Sequence, residues 1–382
     1  MAKNRENPLG KAIRSEHFLD DSSSVGGQVK GMGEVIKKQG EVFGRPPNMN
    51  FRIETFSRIC LTFDDRRTRW DNEMGLGGLL TVPTDIHLPR QLGYWLMTRI
   101  DPLNKVFIAP DGKQFRLSAN QVHWVLGIPN GGLTVPTGKS KFSLMHEKVI
   151  RIQEKYGVPT RTRSKKDSGV VYTSIGIPVN GKMMERVEGK WEAHEEEEFK
   201  TLFLFLSLEM VLCPTQSPRL ACDLLHALTC AMNDGSYNWC ELVLKKLMES
   251  VGSFARRFYS TGVAGGCGGC TIFAVVFYLD RLNWFPVQWG EFPRIKVWDM
   301  NKLSIAFKQD RIASGGDYGK LGSLDVAYGE IHPKEARDSD GPSSMTKGVA
   351  HQFVGQPLEN GHNPNKRRGA PKCSFPHQVK MP

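Results

Sequence analysis

Thr271-Ile-Phe-Ala-Val-Val-Phe-Tyr-Leu279 carries no charge and is apolar on nearly every side of a helical turn. A helix with no polar face has to be enclosed by other elements. This run, continuing to Trp284, is therefore read as the central buried helix of a multi-helix domain. It is too short to be a membrane span, which needs ~20 apolar residues. The uncharged stretch extends back to Phe258, but its first half is Ser, Thr and Gly. Residues 202–213 are the other apolar run, and Glu209 within them together with their shortness also favours a core helix.

Outward from this centre, helical periodicity recurs. Residues 237–259 place Val243, Leu244, Leu247, Val251, Phe254 and Phe258 on one stripe, with Lys245, Lys246, Arg256 and Arg257 off it. Ser217-Pro218 reads as a cap and first-turn proline for a helix bearing Ala221, Leu224, Leu225, Leu228 and Met232. Glu192 and Glu195 to Glu198 suit the positive end of a further helix dipole. Residues 300–312 form a last, weaker helix. Towards the N-terminus, residues 51–70 show a mostly helical spacing, and residues 88–100 carry Leu92, Trp95, Leu96 and Ile100 on one stripe. Val106-Phe107-Ile108, then Asp111-Gly112, then Phe115 and Leu117 predict a β-hairpin whose turn needs the positive φ of glycine. Ser118 and Gln121 form a capping box for a helix over Ala119–Leu126 that Gly127 ends.

The expected fold class is thus mainly α, a multi-helix globular domain with one small β-hairpin. Residues 1–45 and 313–382 are polar and rich in Gly, Ser, Pro or His, so they are expected to be flexible segments flanking a folded body over residues 46–312. The chain has 382 residues, 40% of them hydrophobic and 24% charged, which excludes collagen-like, coiled-coil and wholly disordered classes. Lys and Arg number 51 against 40 Asp and Glu, and a net charge of +11 favours acidic partners such as nucleic acid. Residues 141–190 hold 11 basic and five acidic side chains, with an expected exposed basic loop at about 157–190. Residues 1–10 are followed by no apolar stretch, so a secretory signal is absent and an intracellular setting with reduced cysteines is expected.

Motifs that suggest chemistry fail on spacing. Gly138-Lys139-Ser140 ends like a phosphate loop, but Leu133 stands where the first glycine is required. Cys267-Gly-Gly-Cys270 is half a zinc site, and Cys222, His226 and Cys230 lie at four-residue steps, so the outer two would be ~12 Å apart on a helix and could not share one ion. A composite of Cys222, His226, Cys267 and Cys270 is the remaining metal arrangement, and structural thiols are the preferred reading. His123 and His226 read as core-edge residues, and no Ser sits in a Gly-x-Ser-x-Gly elbow. No catalytic residue, metal or cofactor is assigned. Arg161, Arg163, Lys165, Lys166, Lys366, Arg367 and Arg368 are the candidates for contact with nucleic-acid phosphates.

Gly75-Leu-Gly-Gly-Leu-Leu80, Leu88-Pro-Arg-Gln-Leu-Gly-Tyr-Trp-Leu96, Val122-His-Trp-Val-Leu-Gly-Ile-Pro-Asn-Gly-Gly132 and Gly269-Cys-Thr-Ile-Phe-Ala-Val-Val-Phe-Tyr-Leu-Asp280 resemble the plant mobile domain and the related aminotransferase-like plant mobile domain. Such domains often lie N-terminal to ubiquitin-like-modifier protease domains in transposon-derived proteins. The resemblance covers about residues 50–300 and implies a nuclear, non-enzymatic module that acts through protein partners or chromatin. Two other functions are compatible with it: a nucleic-acid-binding accessory protein of a transposable element, and an inactive remnant of a cysteine-protease polyprotein. No Asp-Cys-Gly nucleophile follows residue 300, and no lysine has a cofactor-binding setting.

Overall fold

The run Thr271–Leu279 is a helix, and all nine of its residues are buried. The computed structural model describes residues 31–45, 47, 49, 51–138, 144–157, 159–160, 171–172, 176–284, 291–313, 316–324 and 328. They are mainly α. In chain order the helices are α1 (Met32–Phe43), α2 (Ile53–Cys60), α3 (Asp65–Glu73), α4 (Arg90–Met97), α5 (Ala119–Leu126), α6 (Leu144–Tyr156), α7 (Gly181–Glu188), α8 (Glu196–Ser207), α9 (Trp239–Thr261), α10 (Thr271–Leu279) and α11 (Met300–Asp310). Strands β1 (Ile100–Asp101), β2 (Val106–Ile108) and β3 (Gln114–Arg116) form an antiparallel sheet in which Phe107 faces Phe115. Two short pairs, β4 (Pro159–Thr160) with β5 (Val171–Tyr172) and β6 (Ile177–Pro178) with β7 (Arg219–Leu220), complete the strands seen among the described residues.

Local signals set several boundaries. The Ser118 hydroxyl accepts from the Gln121 N–H at 3.3 Å, and Gly127 ends α5 at φ +67°, where a β-carbon would be strained. Asn180, Asn238 and Asp299 cap α7, α9 and α11 through side-chain oxygens. The hairpin turns at Gly112 with φ +84°.

Three expectations are corrected. Residues 51–70 are two helices, because the Asp64 carboxylate accepts from the Arg67 N–H at 2.9 Å and starts α3 afresh. Ser217-Pro218 does not cap a helix. Arg219–Leu220 pairs with β6, and only then does a 3-10 helix run over Cys222–Cys230, leaving Met232 exposed.

The third correction concerns the ends of the body. Residues beyond 312 are held by polar ties that an apolar-area argument does not count. The Asp310 carboxylate accepts from the N–H groups of Gly319 and Leu321, at 3.0 Å each, and from the Tyr278 hydroxyl. The Ser323 hydroxyl donates to Asp111, and the Leu324 N–H donates to the Arg281 carbonyl at 2.7 Å. Tyr318, Ser323 and Tyr328 are consequently buried. At the other end, α1 begins at Met32, before the expected start of the body, and rests on α4.

A buried polar knot closes the far side of α10. Asp280 accepts from the Arg294 guanidinium at 2.8 and 3.2 Å, from the Trp298 indole at 2.9 Å and from the Tyr328 hydroxyl at 3.0 Å. Beside it, the Arg281 guanidinium lies 3.6 Å from the centre of the Phe277 ring and donates to Gln121. Both oxygens of Asp280 thus have donors, which offsets part of the cost of burying its charge.

Candidate functional site: a charged cleft along α6

On α6 the residues Lys148, Arg151 and Lys155 recur at three- and four-residue steps, so they share one face, while Glu147 and Glu154 fall off it. That face lines an open cleft of about 500 Å3. His194, Glu195, Glu197, Glu198 and Thr201, from the start of α8 and the turn before it, also line the cleft, as do Leu228 and Met232 at the end of the 3-10 helix. The cleft therefore has cations from one helix, carboxylates from another and apolar side chains between them.

Some of these charges are committed. Lys155 Nζ lies 2.8 Å from Glu198 Oε1, and Arg186 on α7 lies 2.6 Å from Glu195 Oε1. The Arg186 guanidinium in turn lies 3.4 Å from the centre of the Trp191 ring, which fixes its direction. The Glu192 backbone N–H, followed by Arg186, holds the Glu195 carboxyl below its ordinary range. Other charges are uncommitted. Lys148, Arg151 and the Glu197 carboxylate make no ion pair or side-chain hydrogen bond with described residues. The Tyr156 hydroxyl is enclosed with no hydrogen-bond partner among the described residues, and burial raises its pKa. Such a surface can receive a chain segment bearing both signs of charge and an apolar side chain.

The residues singled out in the sequence fall elsewhere. Arg161, Arg163, Lys165, Lys166, Lys366, Arg367 and Arg368 lie outside the described residues, as do Lys139 and Ser140. The Gly138 N–H donates to the Asp223 carbonyl at 2.8 Å. Cys267 and Cys270 are buried. Burial pushes the Cys270 thiol up to about 12 and the Cys267 thiol higher still, so neither supplies thiolate at neutral pH. No three His, Cys, Asp or Glu side chains gather as a metal site among the described residues. His123 Nδ1 lies 2.7 Å from the Ile128 carbonyl oxygen. Sequence reading missed this cleft; the signal that could have found one wall is the three- and four-residue spacing of Lys148, Arg151 and Lys155, and Glu195, Glu197 and Glu198 supply the other wall.

A family model described as a domain of unknown function (DUF8566) matches residues 49–274, more than half of the chain and the stretch from the approach to α2 through the first turn of α10. No curated protein and no solved structure matches the chain.

Proposed function

The chain belongs to the DUF8566 family, and we propose that it is a non-enzymatic protein-interaction module whose docking surface is the cleft along α6. The observation that carries this reading is the set of uncommitted charges there, Lys148 and Arg151 against Glu197, beside exposed Met232. Elsewhere, the large buried ionic groups are used to join elements, as Asp280 and Arg294 are. The strings resembling the plant mobile domain support a nuclear, chromatin-associated, mobile-element-derived setting for the module.

The test is purification of partners from plant nuclear extract on the full chain, with and without nuclease, beside a chain carrying Arg151→Glu and Glu197→Lys. Protein partners that survive nuclease and fall about tenfold on the charge-reversed chain are expected, a factor worth ~1.4 kcal/mol. Retention that ignores the reversal would overturn the docking surface. Loss of all partners on nuclease treatment would favour nucleic-acid binding, a second reading supported by the basic stripe of α6 and the basic residues that follow it. On that reading, neutralising Arg161, Arg163, Lys165 and Lys166 together should flatten a steep salt dependence of duplex DNA binding.

A further inference from the structure

Helix α1 is poorly matched to the place it occupies. Of its 12 residues only Met32 and Gln39 are buried. Both amide atoms of Gln39 are enclosed without a hydrogen-bond partner among the described residues, an arrangement unfavourable to folding. Its C-terminal end leaves Val42 and Phe43 65% and 63% exposed. Its N-terminal end is held from far along the chain. The Asp317 carboxylate accepts from the N–H groups of Met32 and Gly33 at 3.0 and 3.3 Å, and Gln91 on α4 donates to the neighbouring Gly316 carbonyl. Gly33 lies against α4: a β-carbon there would stand 2.8 Å from the Gln91 amide nitrogen, the far end of a side chain that can shift. The groove on α4 thus accepts a helix, but α1 fits it at one end, misfits in the middle and is loose at the other end.

We propose that α1 is a displaceable occupant of this groove, and that the groove receives an amphipathic helix of a partner protein bearing an apolar side chain where Gln39 lies. The partner helix would offer its own first-turn N–H groups to Asp317. A second copy of this chain is a poorer occupant. Its α1 carries the same Gln39, so it gains nothing over the tethered helix and bears the entropy of association as well.

The probe is a fluorescein-labelled peptide of residues 31–45 carrying Gln39→Leu, titrated into three full-length chains. Relative to the wild-type chain, Kd should fall at least tenfold with Gln39→Lys, which places a cation in the groove and evicts α1. It should rise at least tenfold with Gln39→Leu, which seats α1 better. The unsubstituted peptide should bind about tenfold more weakly than the probe. In the wild-type chain, α1 amides should exchange at least 100-fold faster than those of α10. Where Gln39→Lys disturbs the body, Met32→Lys evicts α1 at its other buried position and is used instead. The proposal is overturned by a probe that binds neither evicted chain, by equal affinity for all chains, or by α1 amides as protected as those of α10. A wild-type dimer exchanging α1 between copies, seen by light scattering and lost in Gln39→Leu, would also overturn it.

Discussion

Two aspartates show how far environment separates identical side chains. Asp280 is buried with donors on both oxygens, whereas Asp71 on α3 is buried with none among the described residues. Burial pushes Asp71 well above the usual carboxylate range, and burial likewise raises the nearby Cys60 thiol. An ordinary Asp releases its proton near ~3.9 when unfolded. Above that pH the folded chain keeps a proton at Asp71 that the unfolded chain has lost, so stability falls as pH rises towards the folded value. Asp71→Asn should flatten this slope, matching wild type near pH 4 and exceeding it by about 1 kcal/mol or more at pH 8. Urea unfolding across that range measures it, and an unchanged slope would show that Asp71 is ionised in the fold.

At the scale of elements, the approach to α10 depends on glycine more than on cysteine. Gly269 has φ +73°, and a β-carbon there would stand 2.7 Å from Leu247 Cα on α9, so both conformation and space exclude other residues. Its N–H donates to the Pro214 carbonyl, while Gly268 donates to the Ser250 hydroxyl. Gly269→Val should cost ~3 kcal/mol or more, against ~1 kcal/mol for Cys267→Ser, as read by thermal melts. Comparable losses would place the constraint on the thiol. Much of this level was legible in the sequence, because caps, the hairpin turn and the unbroken apolar run act within a few residues of themselves. The break at Asp64 was harder to see, since the apolar spacing continues on both sides of it. The switch of Arg219–Leu220 into a strand was not legible, because its partner lies on β6, about 40 residues away. The cleft was half legible for the same reason: each wall is a local charge pattern, and only the fold sets the two together.

For the whole molecule, the decisive contacts are those that fasten residues 316–324 and 328 across α10, α11 and the β-hairpin. A chain ending at Ile312 leaves Asp310, Asp111 and Arg281 without these partners, and should lose ~3–5 kcal/mol relative to one ending at Ser343. Limited trypsin digestion should likewise leave a resistant body that includes Tyr328. Equal urea midpoints for the two truncations would show that these ties add nothing. The bond from Asp317 to Met32 has a further consequence, for the order in which the protein is made. The two residues are 285 apart, so at ~5–20 residues per second a ribosome finishes α1 about 15 to 60 seconds before its cap exists. During that interval α1 of every nascent copy waits without this acceptor, and the groove on α4 emerges before the lock that holds α1 in it.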